Sequence, residues 1–71
     1  MTDRDKIRIK VSTNRLTFTW LIYQLSVRGL KTNRSDFSAI LAGTRNGEKV
    51  DAIIATANEI LDYYEKCFPN S

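Results

Sequence analysis

Glu59 and Asp62 stand three residues apart in a stretch of helical spacing, which sets two carboxylates on one helix face. Paired carboxylates can share acid–base work only with a cleft and a partner base. The chain has no histidine, so the usual general base and every imidazole metal ligand are missing. Cys67 is the single cysteine, and no metal or redox spacing surrounds it. It reads as a free thiol suited to a reducing compartment. The segment Gly43-Thr44-Arg45-Asn46-Gly47 has two glycines but neither the lysine nor the preceding strand of a phosphate-binding loop, and reads as a connecting turn. No enzyme activity, cofactor, metal or small-molecule substrate is expected.

A second group of polar residues suits a different chemistry. Asn33, Arg34, Ser35 and Ser38 open a segment whose apolar anchors are Phe37, Ile40 and Leu41. Arginine can hold a guanine edge through two hydrogen bonds, asparagine an adenine edge, and serine either. Lys31 precedes this group, and Arg45, Asn46 and the backbone amide of Gly47 follow it, all suited to phosphate oxygens. Lys10 and Arg15 would add electrostatic attraction. Asn33 and Arg34 also have a plainer use, as helix cap and solubilising charge. Residues 1–15 carry a net +3, residues 16–47 another +3 and residues 48–71 a net −3, which together give the chain's +3. A basic front and an acidic back suit approach to a polyanion by one face.

The elements that must position these residues are helices. Thr2 with Asp5 resembles a capping box, and Ile7 and Val11 share a helix face, so a first helix is expected over about 3–13. A strand is the rival, because Ile7, Ile9 and Val11 also alternate. Helix is preferred, since nothing downstream offers a strand to pair with. Thr17 or Thr19 can cap a second helix over about 18–28, ended by Gly29. Thr32 or Asn33 caps a third, taken as about 32–42 and closed by Gly43. Val50, Ile53, Ile54, Ala57, Ile60, Leu61 and Tyr64 recur at helical spacing over about 48–67, as one helix or as two with a bend near Thr56 to Asn58. Pro69 is expected to stop it. At 71 residues the chain is read as one domain, all-α, a compact bundle of four or five helices with a small core. No apolar run reaches the ~20 residues of a membrane helix, and MTDRDKIRIK has no hydrophobic block after it, unlike a signal peptide. A cytoplasmic location is expected.

Two helices over a short glycine-containing turn form the helix-turn-helix unit, whose second helix enters the DNA major groove. Leu16-Thr17 before the second helix, Leu21 and Leu25 within it, Ser35, Phe37, Ser38, Ile40 and Gly43 of the third, and Val50, Ile53, Ile54, Ala57 and Leu61 behind resemble the Cro-like helix-turn-helix regulators of phages and bacteria, with the lambda-repressor-like fold. The resemblance covers nearly the whole chain. The TWL…RG…LAGTRNG texture is further similar to small modulator-of-repression proteins of temperate phages of Gram-positive bacteria. That resemblance implies a regulator of a lysis–lysogeny switch in a bacterial host cell, with operator DNA and a phage repressor as partners.

Three departures from the pattern shape the expectation. The span from Gly29 to Phe37 is two residues longer than usual. Ala39 stands where a base-reading polar residue is common, leaving only a methyl contact with thymine. Phe18, Trp20 and Tyr23 replace outward polar residues on the second helix. Exposed aromatics favour protein interfaces, so Phe18, Trp20 and Tyr23, with Asp36 as an ion-pair partner, are candidate contacts to the repressor. Trp20 could instead turn inward beneath the last helix. Tyr63, Tyr64 and Phe68 could support a homodimer or pack back on the first helix. Action with or against a partner repressor, with weak or assisted DNA binding, is the favoured reading. A stand-alone, dimeric operator-binding repressor is the alternative.

Overall fold

The computed structural model describes residues 2–68, and these form four helices with no strand among them. In chain order they are α1 Asp3–Thr13, α2 Phe18–Val27, α3 Arg34–Ala42 and α4 Glu48–Cys67. The strand alternative for the first segment fails on burial. Ile7 and Val11 are buried one turn apart while Ile9 between them is 47% exposed, as a helix face requires.

Local side chains set the helix starts. Thr2 Oγ1 accepts the Asp5 amide at 3.1 Å, and Asp5 Oδ2 accepts the Thr2 amide at 3.5 Å. Thr17 Oγ1 accepts the Trp20 amide at 3.1 Å. Asn33 Oδ1 accepts the Asp36 amide at 2.8 Å, so Asn33 is the cap and α3 begins at Arg34, two residues later than the sequence suggested. Each of these caps satisfies an amide that the helix itself leaves unpaired. α4 starts from Gly47, which provides no side-chain cap.

Three helices stop the same way. After α1 the Leu16 amide reaches back to Val11, after α2 the Leu30 amide reaches Leu25, and after α3 the Thr44 amide reaches Ala39. This closure needs one left-handed residue. Gly29 and Gly43 provide it at φ 83° and 84°, but after α1 the position is Arg15, at φ 57°. A side chain costs about 1–2 kcal/mol in that region, against roughly 0.5–1 kcal/mol for the extra freedom of glycine when unfolded. Arg15→Gly is therefore expected to stabilise the domain by about 0.5–1 kcal/mol, a rise of about 2–8 °C in melting temperature by circular dichroism.

α4 is one continuous helix, without a bend at Thr56 to Asn58. Pro69, expected to end it, lies outside the described residues. Its inner stripe of Val50, Ile53, Ile54, Ala57, Ile60 and Leu61 forms the base of the core. α1 and α2 each pack against both α3 and α4. Ile7, Leu21, Leu25, Phe37 and Leu61 are the large side chains fully closed off from solvent. Polar clips hold α1 in place. Lys10 pairs with Asp62 and, at 3.8 Å, with Glu65. Asn14 Nδ2 donates to Glu65 Oε2 at 2.9 Å. At the other end of α1, Arg4 Nε donates to the Ile40 carbonyl at 2.8 Å.

Candidate nucleic-acid and partner interface

α2 and α3 are joined by residues 28–33, and the start of α3 faces outward beside the first turn of α2. Phe37 anchors this corner from inside the core. The Phe18 ring meets Phe37 edge-on, with centroids 5.7 Å apart, and the Arg34 guanidinium carbon lies 5.2 Å from the Phe18 centroid. Phe18 is therefore a half-buried spacer between core and surface, not an outward contact. Its outer face is covered by Arg34 in a cation–π contact.

Of the two placements open to Trp20, outward or inward beneath the last helix, the structure shows the inward one. Trp20 is half-buried and sits edge-on to Tyr64 of α4 at 5.5 Å, and Tyr64 in turn touches Phe68 at 5.0 Å. Tyr64 thus packs on α2, where a contact with α1 had been one expectation. Of the three aromatics of α2, only Tyr23 stands clear, at 65% exposure, with Val27 equally exposed one turn on. Tyr63 and Phe68 form a second exposed pair at the end of α4. The Cys67 side chain, hydrogen-bonded to Tyr63 and negative once ionised, holds the tyrosine hydroxyl above its ordinary value of 10.0, with a smaller contribution from desolvation.

The polar residues picked out for base and phosphate contact divide into two sets. Ser35, Ser38 and Lys31 are exposed. The others are engaged within the domain. Asn33 uses Oδ1 on the Asp36 amide and donates from Nδ2 to Asp36 Oδ2 at 3.3 Å, so both atoms that would grip an adenine already have partners. Arg34 lies over Phe18. Arg45 Nη2 is 3.0 Å from Asp36 Oδ1. Asn46 Oδ1 accepts from Arg4 Nη2 at 3.3 Å. Lys10, expected to add free positive charge, is neutralised by Asp62 and Glu65. Arg15 stays exposed.

Two residues matter here that sequence reasoning passed over. Arg4 holds the α3–α4 corner to α1 through the Ile40 and Arg45 carbonyls and Asn46. Lys49, inside an acidic stretch, joins Lys31, Asp36 and Arg45 around a depression floored by Ile40 and Val50. Of the Glu59–Asp62 pair, Asp62 is the counter-ion of Lys10. Among the described residues no cluster of metal-ligating side chains occurs, and no helix is long and apolar enough to cross a membrane. No protein family, curated protein or solved structure matches this chain.

Proposed function

We propose that this chain is a small helix-turn-helix regulator of a phage-type lysis–lysogeny switch, acting with or against a partner repressor and binding DNA weakly or with assistance. In this reading α2 and α3 are the helix-turn-helix pair. The observation that carries it is the engagement of Asn33 and Arg45 within the domain while Tyr23 of α2 stands open. Reading a base through Asn33 would require it to give up its cap, and that exchange subtracts from affinity. A large exposed tyrosine has the opposite character. It buries much area at little entropic cost when a partner covers it.

The partner surface then consists of Tyr23 and Val27 on α2 with Asp36 on α3. Phe18 and Trp20 act behind it, as supports. A repressor's DNA-contacting face is basic, so Asp36 complements it. Docking there would cover the repressor's own recognition surface and lower its occupancy of operators by mass action.

The second reading, operator binding by this chain alone as a dimer, is favoured by the free state of Ser35, Ser38 and Lys31 at the start of α3 and by exposed Tyr63 and Phe68. Mobility shift on switch-region DNA separates the two. The chain alone is expected to give no retarded band at physiological salt, yet to change the shift produced by the repressor. Retardation of operator but not random DNA by the chain alone would favour the second reading. Arg34→Ala should then cost about 1–3 kcal/mol and relax specificity at one base position.

A further inference from the structure

We propose that the depression between α3 and the start of α4 is a binding site for one phosphate group of a nucleic-acid backbone, closed in the free protein by Asp36 as a built-in counter-ion, a proposal that rests on the nucleic-acid side of the reading above. The depression measures about 120 Å³, roughly four times a water molecule's ~30 Å³ share of the liquid, so it has room for a tetrahedral oxyanion. Its rim carries three cations from three separate segments. Lys31 comes from the α2–α3 connection, Arg45 from the α3–α4 connection and Lys49 from the first turn of α4. Asp36 is the one carboxylate among its lining residues.

The charges are unequally committed. Among the described residues Lys31 and Lys49 form no ion pair, while Arg45 is held by Asp36 at 3.0 Å. Asp36 is itself fixed in place. Its amide is on Asn33 Oδ1 and its Oδ2 accepts from Asn33 Nδ2. The carboxylate therefore occupies the position on Arg45 that a phosphate oxygen would take. Both partners are about half exposed, at 57% and 41%, and an ion pair in that setting is weak enough to be exchanged. A phosphate held by Lys31 and Lys49 would compete with Asp36 for Arg45. A cationic group of a partner protein that drew Asp36 away would release Arg45 to the same site. DNA binding and partner binding would then be coupled through one carboxylate.

The test is a salt titration of binding to a random-sequence duplex by the parent and by Asp36→Asn, with folding checked by circular dichroism. Asp36→Asn is expected to bind about tenfold more tightly at low salt, with a log–log salt slope steeper by about one. The gain should vanish when Arg45→Ala is added. Glu59→Gln makes the same change in net charge away from the site and should not reproduce it. In a parallel arm, inorganic phosphate should shift the amide resonances of Arg45 and Lys49 in the Asp36→Asn protein more than in the parent. A folded Asp36→Asn protein that binds DNA no better than a DNA-binding parent overturns the counter-ion role and leaves the regulatory reading intact. A gain that Glu59→Gln matches, or that survives Arg45→Ala, overturns it too. Phosphate shifts at Arg45 and Lys49 with no DNA binding by any form would support the anion site and overturn its nucleic-acid assignment.

Discussion

Phe37→Ala is expected to remove a large part of the stability of this domain. The side chain is fully buried, and truncating such a phenylalanine costs about 3–5 kcal/mol. A chain of this length has roughly 4–11 kcal/mol in total, at 0.05–0.15 kcal/mol per residue. The loss should extend beyond the core. Phe18 would lose the ring it rests on, and Arg34 would lose the fixed surface beneath it. Chemical denaturation of the variant should show a midpoint far below the parent's. An unchanged midpoint would mean that the α2–α3 corner is not held from the core as described.

The second large effect concerns binding. Tyr23→Ala is expected to weaken the complex with the repressor's DNA-binding domain by about 2–4 kcal/mol, about thirty-fold or more in affinity. The residue is 65% exposed, so its truncation should leave the melting temperature almost unchanged. Trp20→Ala is a poorer test, because it would also release Tyr64. Asp36 separates the two binding activities. Its removal should weaken repressor binding while strengthening DNA binding, since in the proposed docking the carboxylate that occupies Arg45 would also meet a partner's cations. Isothermal titration with each folded variant measures the first effect. If Tyr23→Ala and Asp36→Ala both bind as well as the parent, the contact face lies elsewhere.

The local features of this fold were legible before any coordinates. Thr2 reads as a cap outright, and Thr17 and Asn33 as one of two candidates each, because their short oxygens can reach an amide three positions on. The inner face of α4 was equally open, because its period matches one side of a helix. What stayed hidden depends on residues distant in sequence. The sequence leaves Trp20 open between outward and inward, because the Tyr64 that meets it comes from α4. The same holds for the base-reading set. Arg34 meets a ring that comes from another helix, Phe18 of α2. Lys49 was obscured by its acidic neighbours, and only the fold brings it to Lys31 and Arg45. Arg15 carried no mark of its left-handed backbone, since that position was filled by glycine after α2 and α3.

The most direct test of the central claim is a calorimetric titration of the intact chain into the repressor's DNA-binding domain, first without DNA and then with saturating operator duplex. The account predicts saturable binding in the first titration and strong suppression of it in the second, because operator and chain compete for one basic face. Absence of binding without DNA, or binding unaltered by operator, would contradict it.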